Sequence, residues 1–316
     1  MKTKKLTIIL ILLSIVLTGL YVLPGLSASN YQYFLSRRLP KVLAIILTGG
    51  TIAFSTITFQ TITNNRILTP SMLGFDSLFM LIQTVIVFVL GSSSILIADS
   101  NINFILTTSI MVVTSLFLFK YLLKRLRNNI LFLLLIGTVG STLFRSITSF
   151  MQKVINPNEF NIIQNKMFAS FNNMNTNILF IALILILLII PFVYDDIKLL
   201  DVMGLGKDNA LNLGVDYNKM ISKHLVIIAI LLSISTALVG PITFLGLLIV
   251  NLTRQIINTY KHTHLILISI LLSIVFLIGG QLIVERVLNF NTTLSVIINF
   301  VGGLYMILIL LKENKE

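Results

Sequence analysis

The chain has no cysteine and no tryptophan among its 316 residues. Without thiols it can build neither disulfides nor thiolate metal sites. Without tryptophan, an aromatic belt at a membrane surface falls to tyrosine and phenylalanine. Charge is scarce as well. Only 11% of residues are Asp, Glu, Lys or Arg, against roughly 25% in a soluble globular chain. Apolar residues fill the space: 56% are hydrophobic and the mean hydropathy is +0.99. That composition leaves no room for a sizeable soluble domain and describes an integral membrane protein. The net charge of +12 therefore does not call for nucleic acid. In a membrane protein, excess Lys and Arg mark cytoplasmic loops.

Catalytic patterns are missing too. Gly206-Lys207 starts like a phosphate-binding loop, but Asp208 stands where Ser or Thr is required. The upstream glycine spacing fails and no strand precedes it. His262-Thr263-His264 has no carboxylate or thiol close in sequence, so it reads as a solvated turn rather than a metal site. Glu285-Arg286 reads as an interfacial pair at a helix end. No Ser/His/Asp or paired-carboxylate set stands out, and an intramembrane enzyme would need one.

A helical span takes about 20 apolar residues, fewer in a broken helix. Ten such runs lie at about 6–23, 42–62, 72–90, 104–123, 130–150, 177–194, 224–239, 242–258, 265–284 and 294–311. The seventh and eighth are separated only by Gly240-Pro241, so nine spans with one kinked helix is the competing count. The start has a basic and then an apolar region, followed by Ser27-Ala28-Ser29. A signal peptide would look similar, but the apolar run is long and nothing soluble follows, which favours an uncleaved first span.

Ten spans with a cytoplasmic N-terminus put both termini inside. Arg37, Arg38, Lys41, Arg145, Lys153, Lys166 and Arg286 then fall outside. The other 16 of the 23 Lys and Arg residues, Arg127 and Lys315 among them, fall inside. This obeys the positive-inside rule and makes the Arg37–Lys41 cluster an anomaly.

Two stretches depart from plain greasy helix. The second span runs GGTIAFSTITFQTITNN, rich in Ser, Thr and Gly, with Thr58 and Gln60 in its polar half. A span this polar should face protein or a water-filled path. Ile57-Thr58-Phe59 recurs as Ile242-Thr243-Phe244, and a matched pair of interrupted segments in two halves points to a transport site between inverted repeats. The other stretch is the polar interval 195–223, DDIKLLDVMGLGKDNALNLGVDYNKMISK. Asp195 or Asp196 can cap a short helix closed by Gly204, and Asp208 a second closed by Gly214. Gly206 completes the bend between them. Leu199, Leu200, Met203, Ala210 and Leu211 supply apolar docking residues. Two helices too short to span suggest a platform for another protein; the plain alternative is a surface loop.

Three motifs now converge. Arg38-Leu39-Pro40-Lys41 followed by the small-residue span with Gln60 and TPSMLG is similar to the R-x-P-R region of the FecCD-type permeases, which serve ABC importers of iron-siderophores and vitamin B12. GLGKDNALNLGVD resembles their coupling segment, and GPITFLGLLIVNLTR resembles their G-x-I-x-F-x-G-L-x-x-P-H-x-x-R. The resemblance covers essentially the whole chain. The Q60-to-L78 stretch and the GQLIVERVLNFNTTLSVIINFVGG stretch look most like permeases for catecholate-type siderophores of Gram-positive bacteria. The chain departs at Val250-Asn251, where Pro-His is usual, at Asn65-Arg66, where Asn-Pro is usual, and at Gln281, where an aspartate is frequent.

The resemblance implies an all-α polytopic permease of about ten helices with inverted repeats, a single domain over 1–316, in the cytoplasmic membrane. It implies a second permease subunit (a relative or a copy), two ATPases holding ATP and Mg, and an extracellular binding lipoprotein. This chain would bind no cofactor or metal and catalyse nothing. Arg38, Lys41 and Arg286 match the positions that dock the binding protein. Leu199, Leu200, Met203, Gly204, Gly206, Ala210, Leu211 and Gly214 would form the ATPase-coupling platform. Thr58, Gln60, Thr243 and Phe244 would line the path. The expected cargo is ferric siderophore; vitamin B12 and haem are alternatives. An ion-coupled transporter would want buried carboxylates, for which Asp76 is the one good candidate. A membrane-embedded enzyme or scaffold is the third reading.

Overall fold

The computed structural model describes residues 2–27, 29–125, 130–172 and 174–313. Ala28 of the small-residue motif, Arg127 and Lys315 lie outside the described residues. Among the described residues there is no strand, only helices, turns and a single 3₁₀ turn. The order is α1 (Lys2–Val22), α2 (Tyr31–Ile62), the 3₁₀ turn Pro70–Leu73, α3 (Phe75–Leu90), α4 (Ile95–Ala98), α5 (Ser100–Arg125), α6 (Ile130–Val154) and α7 (Pro157–Lys166). Then come α8 (Thr176–Tyr194), α9 (Asp196–Met203), α10 (Lys207–Asn212), α11 (Tyr217–Val239), α12 (Leu245–Ile256), α13 (His262–Arg286) and α14 (Leu294–Glu313).

Among the described residues seven helices, α1, α2, α5, α6, α8, α11 and α13, are long and apolar enough to cross a membrane. α3, α12 and most of α14 are shorter apolar helices. Each of these ten coincides with one expected span. The nine-span alternative fails at Gly240. There the backbone turns to φ 98° and ψ 176°, a conformation a side chain resists, and Pro241 cannot continue the helix. α11 therefore ends, and α12 starts five residues later. A Cβ on Gly240 would also sit 3.0 Å from the Ala169 Cα.

The chain forms two compact units. One comprises Met1–Ile57, Ser170–Lys198 and Phe244–Glu316; the other comprises Thr58–Ala169 and Leu199–Thr243. In the first, α13 packs along α1 and also against α12 and α14. Gly246 admits the close approach of α12, since a Cβ there would overlap the Thr56 hydroxyl. In the second, α11 packs on α5, and α3 packs on α6, α5, α7 and α11. The 3₁₀ turn lies against α6 at Gly137, whose missing side chain leaves room for Leu73.

Burial sorts the helices. In α2, 83% of the apolar window is buried; in α1, α6 and α8 only 17% is. Ile8, Ile9, Leu12 and Val16 of α1, and Phe180, Leu187 and Leu188 of α8, present bare hydrocarbon. On a chain of this composition such a surface is suited to lipid or to another membrane subunit. The polar residues of α2 are inside: Thr48, Thr51, Ser55, Thr56, Thr58 and Gln60 are all buried.

Candidate functional site

Three groups of residues were singled out by sequence, and each has a definite place. The first is at the C-terminal end of α1. A helix leaves its last carbonyls unpaired, and arginines fill that need here. Arg38 Nη1 donates to the carbonyls of Val22 at 2.7 Å and Pro24 at 2.6 Å. Arg286 Nη2 donates to the Leu20 carbonyl at 3.3 Å and is otherwise exposed. Lys41 Nζ is 2.9 Å from Glu285 Oε1. The same oxygen accepts from the Tyr21 hydroxyl at 2.7 Å and Gln281 Nε2 at 2.8 Å. Gln281 also donates to Asn172 Oδ1 at 3.0 Å. The expected Glu285-Arg286 pairing is thus replaced by Glu285–Lys41. Adjacent helical residues project about 100° apart and do not meet, whereas Lys41 approaches from another helix.

Above this network three cations lie on rings. Arg37 sits 4.7 Å from the Tyr33 centroid, Arg38 4.6 Å from Phe34 and Lys41 5.8 Å from Phe290. Phe290 and its neighbour Asn289 both hold positive φ, 61° and 47°.

The second group is the expected path. Thr58 and Gln60 are buried in α2. Gln60 Nε2 donates to the Arg66 carbonyl at 2.6 Å, folding the chain back where Asn64 (φ 47°) ends the helix. Thr243 Oγ1 donates to Asp76 Oδ2 at 2.7 Å, so the acid expected of an ion-coupled path is engaged with the break after α11. The Phe244 amide donates to Asn299 Oδ1 at 3.4 Å. Ile57–Phe59 lies inside a helix, while Ile242–Phe244 lies in the break. The repeat of Ile-Thr-Phe is one of sequence, not of local backbone.

The third group is the platform. Asp195 closes α8 and Asp196 opens α9, with no loop between. Gly206 takes φ 94° and stands at the N-cap of α10, so Asp208 falls in the first turn rather than at the cap. A carboxylate there still complements the helix dipole. Gly206 and Gly214 (φ 82°) hold positive φ, whereas Gly204 does not. Val215 N bonds to the Ala210 carbonyl and Gly214 N to the Leu211 carbonyl, the paired bonds of a Schellman close. Leu200, Met203 and Ala210 are fully buried, and α10 packs on α11. Leu199, Leu205, Leu211 and Leu213 are the exposed apolar residues. Ala210, expected on the docking face, is turned inward.

Two features escaped sequence reading. Gln281 could have been linked to Glu285, being four residues earlier on one helix face; nothing local signals Tyr21 or Lys41. The other is a polar cluster at α7. Lys166 Nζ donates to Gln83 Oε1 at 2.8 Å and Asn103 Oδ1 at 3.1 Å, and Gln83 Nε2 donates to Thr107 at 2.8 Å. Burial pulls the Lys166 amine down to about 8. His262, expected in a solvated turn, is buried at the start of α13. Among the described residues no group of three or more His, Cys, Asp or Glu could hold a metal.

A family model described as the FecCD transport family matches residues 6–312. The petrobactin import system permease protein YclO of Bacillus subtilis is 55% identical over 98% of this chain and 97% of its own length. FatC of Bacillus anthracis, a petrobactin import system permease protein, is 35% identical over 88% of this chain and 78% of its own. FatD, which carries the same description in the same organism, is 25% identical over 98% and 90%. A solved structure of a metal-chelate type ABC transporter in an inward-facing conformation superposes with a TM-score of 0.80. That match has 22% identity and covers 97% of this chain and 99% of the other, which shows a shared fold.

Proposed function

The chain belongs to the FecCD transport family, and from that premise we propose that it is the permease subunit of an ABC importer for ferric siderophore. The observation that carries this reading is 55% identity to a petrobactin import permease over nearly the full length of both chains. The family itself also includes vitamin B12 permeases, one of them 22% identical to this chain, so the cargo rests on the much higher identity to siderophore permeases.

The chain supplies the passage, and ATP and Mg belong to two partner ATPases. Leu199, Leu205, Leu211 and Leu213 present an apolar face for a groove on such a subunit, held in shape by the glycine turns at 206 and 214. Movement of the platform is passed to the spans, which open alternately to either side. The second permease is a relative rather than a copy: FatC and FatD are distinct chains named for one import system, and this chain is more similar to FatC. An extracellular binding lipoprotein delivers the cargo. The N- and C-termini face the cytoplasm, where the platform can reach the ATPase.

The test is uptake of radio-iron by a deletion strain offered ferric petrobactin, other ferric siderophores and haem, beside labelled vitamin B12. Loss should be confined to one class of ferric siderophore and restored by the gene. Loss of vitamin B12 or haem uptake, with siderophore uptake intact, would replace the cargo.

A further inference from the structure

We propose that Arg145 of α6 contacts the cargo, its guanidinium facing the passage and taking anionic oxygens of the ferric chelate. The proposal rests on the function just given. Arg145 is the one charged residue between Ile130 and Gln152. It precedes the end of α6 at Val154 by about 13–14 Å along the axis at 1.5 Å per residue. The 25 residues of α6 exceed the roughly 20 that cross a bilayer core, and Arg145 falls within that depth. Its side chain runs away from the nearer end. Nε donates to Ser77 Oγ at 3.1 Å, and that oxygen lies 2.6 Å from Ser141 Oγ, one turn back toward Ile130. The head therefore does not reach out to the headgroups, as a cation near a helix end does.

Around α6 the surface divides into three sectors. Leu133, Leu134 and Thr148 are buried. Leu135, Val139, Leu143, Ile147 and Phe150 are exposed and apolar. Between these sectors lie Thr138, Thr142, Arg145, Ser146 and Ser149, all exposed and spaced as one helix face. The hydroxyls alone decide little. Thr138, Thr142 and Ser146 bond back to carbonyls of their own helix, which satisfies them even in lipid. Arg145 has no such remedy. A guanidinium has five N–H donors, and only the one on Nε makes a hydrogen bond among the described residues. Asp76, one residue before Ser77, accepts from the Thr243 hydroxyl at 2.7 Å and forms no ion pair with Arg145. A charge at this depth faces protein or a water-filled cavity. Its uncommitted donors match an anion that presents several oxygens. Iron(III) held by deprotonated catecholate or carboxylate oxygens is such an anion, because the ligand charges outweigh that of the metal. A guanidinium meets these oxygens in forked, charge-assisted contacts. A carboxylate of the second permease is the competing partner. The polar sector from Thr138 to Ser149 runs about 16–17 Å along the axis, which suits a cargo that travels better than one fixed contact.

The chain has no cysteine, so Arg145→Cys gives it a single thiol. The complete importer is reconstituted in proteoliposomes with ATP inside, and ferric petrobactin is supplied on the binding lipoprotein outside. Arg145→Cys should lower uptake about tenfold or more, the worth of a hydrogen bond to a charged group. Aminoethyl methanethiosulfonate leaves an ammonium on the sulfur and should restore a large part of it. Sulfonatoethyl methanethiosulfonate leaves an anion and should not. Restoration by the ammonium separates lost charge from lost folding, and the wild type treated alongside reports any thiol of the partner subunits. Phe150→Cys, in the apolar sector, should react many times more slowly than Arg145→Cys. Ser77→Ala removes the internal bond, keeps the charge and should cost a few-fold at most. A thiol at position 145 that neither reagent modifies overturns the proposal. So does loss of the second permease on purification of Arg145→Cys, which assigns the arginine to the subunit interface. A wild type that carries vitamin B12 and no ferric siderophore overturns the function and the proposal with it. Siderophore uptake by the wild type, matched by Arg145→Cys, overturns the proposal alone.

Discussion

Lys41 and Glu285 lie 2.9 Å apart with 13% and 18% of their side chains exposed. A pair so enclosed tolerates loss of one member poorly, because the other is left charged without compensation. Lys41→Met should destabilise the protein by about 2 kcal/mol, with Tyr21 and Gln281 still holding part of the carboxylate. Adding Glu285→Gln should recover most of that loss, and thermal melting in detergent measures both. The same residue thus matches a docking motif by sequence and serves internal cohesion by structure. A charge reversal at Lys41 would therefore blend unfolding with any docking defect.

Helix α10 turns one small residue inward and a neighbouring leucine outward. Ala210 is fully buried against the rest of the chain, whereas Leu211 is 46% exposed. Ala210→Asp should unseat α10 from α11 by burying a carboxylate, and lower yield and melting temperature. Leu211→Asp should leave melting unchanged and abolish recovery of the ATPase in co-purification. Normal ATPase recovery with Leu211→Asp would remove the coupling role from this face.

Helix α7 carries a different test. The Lys166 amine lies near 8 in the fold and near 10.4 in an unfolded chain. Between about pH 8 and 10 the unfolded chain keeps a proton that the folded chain has released. Stability should then rise with pH across that window. Below pH 8 both states are protonated and the cost of burying the charge stands in full. Melting of the wild type relative to Lys166→Gln, followed from pH 7 to 9.5, should show the rise; a flat difference would mean the amine is not desolvated.

For the whole molecule, the decisive property is which way it sits in the bilayer. By the ten-span count of the sequence, 16 of the 23 basic residues fall on the side of the platform, a bias of the kind that orients membrane chains. A reporter fused after Lys207 should read cytoplasmic, and one inserted between Asn156 and Asn175 should read extracellular. Opposite readings would invert the orientation and remove the platform from the ATPase's side. The insertion site needs care, because α7 occupies most of that loop, capped by Asn156 and tied by Glu159 Oε1 to the Ser92 amide at 3.2 Å. An insertion at Asn175, the cap of α8, would cost that helix its start, so the junction before it is preferable.

Gly204, expected to close α9, holds no positive φ, but the ten apolar runs, the bends at Gly206 and Gly214 and the motifs of the family were legible in the residues themselves. They are local: a span must supply its own hydrogen bonds and its own apolar length, and a left-handed turn must have its glycine. What only the tertiary structure decided is which apolar face is packed within the chain and which is left bare. Ile9 is exposed and Ile45 fully buried, yet both are isoleucines in apolar runs, and lipid tails are as apolar as leucine. Hydrophobic pattern cannot separate the two environments. For the same reason the sequence puts Ala210 with the docking residues, whereas the fold buries it completely. Nor could spacing reveal that Lys41 meets a carboxylate 244 residues away or that Arg38 closes the end of α1. Those contacts arise from helices packing side by side, and leave no mark on either sequence segment alone.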